Sequence, residues 1–278
     1  MSMNRVLFFG LFGLFAALSA SAAVPFKKVM IVVFENEDAS RVLDQPHFKD
    51  FAAKGAYLGN FVAETHPSQG NYIALVSGDL HGVRTDSNVN IDAKHVGDLL
   101  EAAGMNWKIY LEGYPGNCFT GARSGQYARK HNPFVSFKNV QTDPARCNRH
   151  LVGAGEVDRD IQAGTLPEFS VYVPDLQNDG HDTGVAYADR WFGNVFGAFA
   201  RNPKFMKDML VIATFDESSL TGGNRIYTAL YGDSVVGGSV SKAPATHYSI
   251  LRLVEDAFGL GNLGASDRSA NRITGIWR

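Results

Sequence analysis

The stretch that decides the fold is Lys28–Phe34, KVMIVVF, which ends directly on Glu35-Asn36. It is apolar at successive positions and rich in β-branched residues, a pattern typical of a strand covered on both faces of a sheet. Met209–Phe215, MLVIATF, repeats the pattern and ends on Asp216-Glu217. The two runs therefore predict two buried strands, each of which carries a polar pair at its carboxyl end.

Outward from these runs, predicted helices and strands alternate, which indicates a wound α/β sheet. The helical stretches close on glycines, as at Gly55, Gly78 and Gly104. The predicted helices are His47–Lys54, Ser68–Ser77, Val96–Ala103, Glu156–Ala163, Ala186–Arg201 and His247–Phe258, and the further strands are Asn106–Leu111, Phe169–Val173 and Ile226–Tyr231.

One domain over residues 23–278 accounts for this pattern, because no repeat, linker or low-complexity tract divides it. Around residues 112–150 the periodicity fades and Gly, Pro, Asn and Arg become frequent. A loop-rich excursion of this length inside a compact domain usually carries function. Its aromatic residues are expected either to wall a binding pocket or to form the core of a small subdomain.

The first residues indicate a secretory signal peptide, residues 1–22. Arg5 supplies a positive start, Val6–Leu18 an apolar centre, and Ala20-Ser21-Ala22 a small-residue cleavage site. A membrane anchor is the rival interpretation, but the apolar centre is short for a span of about 20 residues. We therefore expect a periplasmic or secreted protein without stable membrane insertion after cleavage.

The formal net charge of −2 gives no reason to expect nucleic acid as a partner.

The chain has two cysteines, Cys118 and Cys147. In an oxidising compartment they would close a disulfide loop worth about 3 kcal/mol if it forms without strain. Two unpaired structural thiols are the alternative.

Ser68 follows Pro67 at the start of a helix-compatible segment. There it is either an ordinary N-cap or a nucleophile whose hydroxyl faces an oxyanion at the helix N-terminus. The polar pairs after the two strands favour the second interpretation, since the carboxyl ends of sheet strands meet at one edge, where ligands bind. Carboxylates, an amide oxygen and a hydroxyl form an oxygen-rich set for one divalent cation, with Ca, Mg, Mn, Fe and Zn all open. Such a cation would lower the pKa of the serine hydroxyl and neutralise a phosphate.

The histidines differ in what their surroundings predict. His181 lies in the polar loop VPDLQNDGHD after a strand, where nearby aspartates favour its protonated form and a role as phosphate donor or leaving-group acid. His131 has no role on local grounds. His66 is close enough in sequence to orient Ser68, and His247 is equally compatible with a site role and a structural one at a helix start.

Six phrases in collinear order resemble the phosphoesterase family of bacterial and fungal acid phosphatases and phosphatidylcholine-type phospholipases C. They are VVFENEDAS from Val32, THPSQGNY from Thr65, YARKHNPFVSF from Tyr127, VPDLQNDGHD from Val173, TFDES from Thr214 and HYSILRLVEDAFGL from His247. The resemblance runs from about Lys27 to about Leu260. It implies an alkaline-phosphatase-like fold, a three-layer α/β/α sandwich with a mostly parallel central sheet.

The resemblance also implies roles for individual residues. Ser68 would be the nucleophile and a metal ligand, and His131 and His181 would act in catalysis and line the phosphate pocket beside Asn178. Asp182 and Asp175 would orient His181, and Glu112 and Cys118 fit the family pattern. The implied ligand set for the single metal is Glu35, Asn36, Ser68, Asp216 and Glu217.

The sequence thus predicts a secreted, metal-dependent phosphoesterase that hydrolyses phosphate monoesters through a phosphoserine. A phospholipase C-type phosphodiesterase acting on a phospholipid head group, and a non-catalytic metal-binding protein of the same fold, are the alternatives. A sulfatase-like enzyme is disfavoured because no Cys/Ser-x-Pro-x-Arg pattern surrounds residue 68. Gly70 departs from the family pattern, in which a proline is usual, and leaves the pocket width and the substrate open.

Overall fold

The computed structural model describes residues 26–278, so the predicted signal peptide lies outside the described residues. Within them, no helix combines the length and the apolar content that a membrane crossing needs. An eight-stranded sheet runs through the domain in the order β10-β2-β9-β8-β1-β7-β3-β6, and β4 pairs with β5 in a separate ribbon. The strands are β1 Lys28–Phe34, β2 Ala56–Leu58, β3 Trp107–Leu111, β4 Arg123–Ser124, β5 Tyr127–Ala128, β6 Leu151–Gly153, β7 Phe169–Val173, β8 Met209–Phe215, β9 Thr228–Tyr231 and β10 Ser239–Ser241.

Strand β1 lies at the centre, parallel to β7 on one side and to β8 on the other. Its residues from Val29 onward are buried, as are all residues of β7 and β8, which explains their uninterrupted apolar sequences. The predicted bounds of these three strands are confirmed. Strand β9 is antiparallel to both β8 and β2, and the remaining pairs of the large sheet are parallel.

Helix α2 (Pro46–Lys54) packs against α8 (Val185–Ala200), and α3 (Gln69–Ser77) packs against α10 (His247–Phe258). The predicted α/β/α sandwich with a mostly parallel sheet is confirmed. The α-helices are α1 Ala39–Leu43, α2 Pro46–Lys54, α3 Gln69–Ser77, α4 Val96–Ala102, α5 Lys138–Gln141, α6 Pro144–His150, α7 Glu156–Ala163, α8 Val185–Ala200, α9 Pro203–Met206 and α10 His247–Phe258, and the 3-10 helices are Arg129–His131, Phe134–Ser136 and Ser266–Ser269.

The segment 112–150 is more regular than its composition suggests, because it contains the β4-β5 ribbon, two 3-10 helices, α5 and α6. A disulfide joins Cys118 to Cys147, with 5.7 Å between their Cα atoms. Tyr127 and Phe134 are fully buried, so these aromatic side chains are core of this segment and not the wall of an open pocket.

Aromatic rings support the carboxyl ends of the two central strands. The rings of Phe34 and Phe215 stack with centroids 5.2 Å apart, and Phe48 meets Phe34 edge-on at 5.0 Å. Such pairs contribute about 0.5–1.5 kcal/mol beyond their burial. The residues that follow each ring, Glu35 and Asp216, are therefore held at the same edge of the sheet.

Candidate active site

The two polar pairs predicted from the sequence meet in space. The backbone N–H of Asn36 donates to Asp216 Oδ1 at 3.0 Å across a separation of 180 residues. Glu35 and Asp216 are completely buried, and Glu217 is nearly so. The structure brings the pairs together because β1 and β8 are adjacent and parallel, with Phe34 opposite Phe215 in the register.

Ser68 lies at the start of α3, directly after a cis His66–Pro67 peptide bond. Its side chain makes no capping hydrogen bond to the helix. Instead, Ser68 Oγ donates to Glu35 Oε2 at 3.2 Å and lies 3.5 Å from Glu217 Oε1. The ordinary N-cap interpretation therefore fails, and the hydroxyl faces both polar pairs.

Asn36 adopts the left-handed region, with φ of 53°. Asparagine tolerates this conformation better than most residues, because its short side chain bonds locally. Here Asn36 Nδ2 donates to Glu35 Oε2 at 2.7 Å. The turn thereby places an amide beside the carboxylate that Ser68 also contacts.

Asp179 is a fourth acidic residue of this group. Its backbone carbonyl accepts from the Glu35 N–H at 3.0 Å, and its carboxylate is fully buried. Burial and the neighbouring Glu35 raise the pKa of Asp179 to about 8. Burial and Asp216 likewise raise the pKa of Glu217 to about 9, and burial and Glu35 raise the pKa of Asp216 well above its usual value. Ionised carboxylates this close are unfavourable without a compensating cation.

Three buried carboxylate oxygens of this acidic group make no hydrogen bond to the described residues. They are Glu35 Oε1, Asp179 Oδ2 and Asp216 Oδ2. Buried polar atoms normally find partners, so unpartnered oxygens within one acidic group fit the ligand atoms of a metal ion.

His131 is buried in the same group, where its ring stacks on that of Tyr72. His131 Nε2 lies 2.9 Å from Glu35 Oε1, and Nδ1 lies 3.9 Å from Asp179 Oδ2. Ligand atoms of Glu35, His131 and Asp179 lie within 4.8 Å of one another. Burial and the nearby Lys130 lower the pKa of His131 to about 3, and a neutral imidazole is the form that binds metal.

The donor set therefore fits a divalent cation. Glu35 belongs both to the ligand set implied by the sequence and to the group with His131 and Asp179. Oxygen ligands suit Ca, Mg and Mn, and an imidazole extends the choice to Fe and Zn. The identity of the metal stays open.

The loop after β7 places the other predicted residues at the rim. His181 Nδ1 lies 2.9 Å from Asp182 Oδ1, and about half of each side chain is exposed. Asn178 Nδ2 donates to Glu112 Oε2 at 2.8 Å, so this amide supports the loop. Asp175 accepts from the backbone of Gln177 and Asn178. The backbone N–H of His181 donates to Asp179 Oδ1, which joins the rim to the buried acids.

Sequence reasoning missed Lys130, Asp179 and Asn71. Lys130 Nζ lies 3.3 Å from Ser68 Oγ and 3.6 Å from Glu35 Oε2, which puts a cation at the hydroxyl. Asn71 Nδ2 lies 3.5 Å from Glu217 Oε2. Two signals were available: Lys130 precedes His131, and Asp179 lies two positions before His181 in a polar loop at a strand end.

His66 contacts the acidic group and not the serine hydroxyl, since His66 Nδ1 lies 2.8 Å from Glu217 Oε2. It therefore orients a predicted metal ligand. His247, for which the sequence left two interpretations, is buried at the start of α10 behind the β8 end.

Comparisons with solved structures agree on the fold. A protein of the alkaline phosphatase superfamily from Vibrio parahaemolyticus superposes with a TM-score of 0.61 at 11% identity, covering 90% of this chain and 71% of that one. The lipoteichoic acid synthase LtaP of Listeria monocytogenes gives a TM-score of 0.61 at 10% identity, covering 89% of this chain and 77% of that one. The domain thus has the alkaline-phosphatase-like fold.

Sequence comparisons are more specific. A family model described as the Phosphoesterase family matches residues 41–261. A phosphatidylinositol-3-phosphatase of Mycobacterium tuberculosis is 34% identical over 265 residues, 94% of this chain and 86% of the relative. A probable acid phosphatase of Kluyveromyces lactis is 31% identical over 259 residues, 88% of this chain and 61% of the relative, and an acid phosphatase of Aspergillus fumigatus is 32% identical over 270 residues, 92% and 60%.

The chain belongs to the Phosphoesterase family. It spans about three fifths of the length of these two fungal relatives and most of the length of the mycobacterial one.

Proposed function

We propose that this protein is a metal-dependent phosphomonoesterase of the acid phosphatase type, in which Ser68 is the nucleophile. The observation that carries the proposal is the position of Ser68 Oγ. It lies at a helix N-terminus, within 3.5 Å of Glu35, Glu217 and the Lys130 ammonium, with no capping bond to occupy it.

Glu35, Asn36, Asp216 and Glu217, together with Ser68, would hold one divalent cation, and Asp179 and His131, whose ligand atoms lie within 4.8 Å of one of Glu35, would complete its surroundings. When bound, the cation supplies charge neutralisation at the phosphate and a lower pKa at the serine hydroxyl. Lys130 would donate to a phosphate oxygen, since its ammonium group already lies beside Ser68 Oγ.

In the first step, Ser68 Oγ attacks phosphorus in line with the ester oxygen and gives up its proton toward Glu35 Oε2, to which it already donates. The ester P–O bond breaks, and the alcohol leaves with a proton from His181 at the rim. Water then attacks the phosphoserine and gives its proton to His181, the Ser68 O–P bond breaks, and Ser68 Oγ takes back the proton held by Glu35 as phosphate is released. Asp182 would hold the His181 ring in position through its 2.9 Å contact with Nδ1.

Monoesters are favoured over a phospholipase C-type diester substrate for two reasons. The similar proteins are described as acid phosphatases and as a phosphatidylinositol-3-phosphatase. In addition, two of the aromatic residues that could wall a head group, Tyr127 and Phe134, are buried in the core, whereas Tyr114 and Phe119 are half-buried. A small phosphate ester or a phosphorylated lipid head group remains the substrate class.

A periplasmic or secreted location also belongs to this proposal. The Cys118–Cys147 disulfide supports it, because disulfides persist in oxidising compartments. The predicted signal peptide would direct the chain there.

The test is hydrolysis of p-nitrophenyl phosphate by the purified protein, with elemental analysis for bound metal. Ser68→Ala is expected to lower kcat by about 10³-fold or more, as does removal of a covalent nucleophile elsewhere, and chelation of the metal to abolish turnover. Ser77→Ala is the matched control, because its hydroxyl bonds Ile73 O in the same helix, away from the acids.

Two results would contradict the proposal. Full activity in Ser68→Ala would show that Ser68 is not the nucleophile. Metal binding without turnover on p-nitrophenyl phosphate, its bis ester or its phosphocholine ester would instead favour the non-catalytic metal-binding protein.

A further inference from the structure

His247 is buried behind the acidic centre, and both of its ring nitrogens face acceptors. Nε2 lies 3.0 Å from the carbonyl oxygen of Phe215, the residue before Asp216. Nδ1 makes a short contact with Glu64 Oε2. The side chains of His247 and Glu64 are only 1% and 5% exposed, so water does not compete for either contact.

With Glu64 as a carboxylate, both partners are acceptors and the pairing needs two protons on the ring, because a neutral imidazole carries only one N–H. The geometry therefore assigns an imidazolium to His247, paired with the Glu64 carboxylate. Burial opposes the charged form, but Glu64 and the Phe215 carbonyl outweigh it and raise the pKa of His247 above its usual value. Asp216, the other charged group that faces the ring, acts in the same direction.

Glu64 also begins the segment that leads to the nucleophile. The backbone N–H groups of Glu64 and Thr65 both donate to Asn71 Oδ1 at 3.0 Å. Asn71 Nδ2 in turn lies 3.5 Å from Glu217 Oε2. The contacts close a ring from Glu64 through His247 and the β8 end to Glu217 and back through Asn71.

We propose that the Glu64–His247 ion pair is a positioning element, which sets the distance between the β8 end carrying Asp216-Glu217 and the segment carrying Ser68. The pair touches neither the predicted substrate position nor the metal site, and it acts through the Phe215 carbonyl. The effect on turnover rests on the proposed function, whereas the charge state of the ring does not.

The chain contains a matched control for this arrangement. His150 is also a buried histidine beside a strand carbonyl and a carboxylate, with Nδ1 2.6 Å from Trp107 O and Nε2 2.9 Å from Glu101 Oε1, and its Nε2 also accepts from Arg149 Nε at 3.2 Å. Trp107, however, begins β3, at the end of the strand opposite to the acidic edge. His150→Gln removes a similar buried bridge without touching the site.

The charge state is tested by ¹⁵N NMR of the histidine rings at pH 8, with Glu64→Gln to assign the signal. We expect both ring nitrogens of His247 to be protonated in the wild type, and one of them to lose its proton in Glu64→Gln. A single neutral tautomer in the wild type would overturn the ion pair, whether or not the protein is a phosphatase.

The positioning role is tested by kcat and KM on p-nitrophenyl phosphate. Residues that orient metal ligands typically affect activity 10–100-fold, so we expect Glu64→Gln and His247→Gln each to lower kcat by about 10–100-fold with KM changed less than about 3-fold. The double variant should lose no more than the worse single one, because the pair acts as a unit. His150→Gln should keep kcat.

Equal loss of kcat in His150→Gln and His247→Gln, or unchanged kcat in a folded Glu64→Gln, would overturn the positioning role. Glu64→Gln keeps the shape of the side chain, so it supplies this outcome even if His247→Gln does not fold. A wild type without phosphatase activity would refute the proposed function, and the ring spectrum would still decide the ion pair.

Discussion

Carboxylates at the same edge of the sheet fall into two kinds. Glu112, directly after β3, accepts four hydrogen bonds, from the Tyr172 hydroxyl at 3.1 Å, the Trp191 indole at 3.2 Å, the Asp175 N–H at 3.1 Å and the Asn178 amide at 2.8 Å. Beside it, the group around Glu35 and Asp216 retains oxygens without donors.

This difference in hydrogen-bond donors distinguishes a structural carboxylate from a candidate ligand. A satisfied carboxylate holds neighbouring segments together, and the half-buried Glu112 does so for the loop that carries Asp179 and His181. An unsatisfied buried carboxylate costs stability and persists where a ligand compensates it. Both kinds are acidic residues at strand ends, so the hydrogen-bond partners tell them apart.

The sharpest test of this comparison is Asp216→Asn. The amide keeps the acceptor oxygen for the Asn36 N–H and removes one ionisable acid from the crowded group. We expect kcat/KM to fall by about 10³-fold, of the order seen when a preorganised electrostatic group is lost, while the metal-free protein gains about 1 kcal/mol of unfolding free energy. Enzyme assays and urea unfolding in chelator measure the two effects. A destabilised metal-free variant would show that the acids are not in conflict.

Glu112→Ala should have the opposite signature. It leaves the donors of the buried Tyr172 and of the half-buried Trp191 and Asn178 without an acceptor, so we expect a loss of about 3 kcal/mol of unfolding free energy. Urea unfolding measures it, and Glu112→Gln, which keeps one acceptor, should lose less. If Glu112→Ala has the same unfolding free energy as the wild type, the distinction between the two kinds of carboxylate is wrong.

Lys130 tests whether the unsatisfied group works as a catalytic centre. Its ammonium bridges Ser68 Oγ, Glu35 and Asp86. Lys130→Ala is expected to lower kcat/KM for p-nitrophenyl phosphate by about 10–100-fold, since a charged donor to the transferred phosphate is lost. Lys138→Ala is the control, because Lys138 pairs with Asp92 at the surface. Equal activity in both variants would exclude a role for Lys130 at the phosphate.

Glu255 is a buried carboxyl group that belongs to neither of the two kinds. It is buried, and neither of its oxygens has a donor among the described residues, yet it lies on α10 beside Asp267 and not at the sheet edge. Burial and the neighbouring Asp267 and Asp256 raise the pKa of Glu255 from 4.5 to about 9. The folded protein therefore keeps Glu255 protonated at neutral pH, and a proton takes the place that a cation would have in the active site.

The pH dependence follows from this shift. Below pH 4.5 Glu255 is protonated in both the folded and the unfolded chain, so it adds no pH dependence. As the pH rises toward about 9, the unfolded chain ionises first and stability falls. Glu255→Gln is expected to gain up to about 5 kcal/mol over the wild type at pH 8 and nothing at pH 4, measured by urea unfolding. A constant difference across this range would indicate an ionised Glu255.

The elements that the sequence predicted well are those whose environment is uniform along the chain. β1, β7 and β8 are apolar at nearly every position, and α10 has its capping threonine and closing glycine, so their bounds were correct. The short strands β2, β6 and β10 were missed, because three residues carry too little pattern to separate them from loop. These depend on pairing with a neighbouring strand.

The sequence also predicted residues of the candidate site, because Ser68 occurs where a helix begins and the two polar pairs occur where strands end. The sequence by itself determined the α/β class, the central strands and the likeness to a phosphoesterase family, all of which follow from local pattern. Only the tertiary structure decided that Asp179 and Lys130 join the acidic group, that Asn178 supports a loop, and that His247 bridges Glu64 to Phe215. Hydrogen-bond partners and burial arise between distant segments, and no local pattern encodes them.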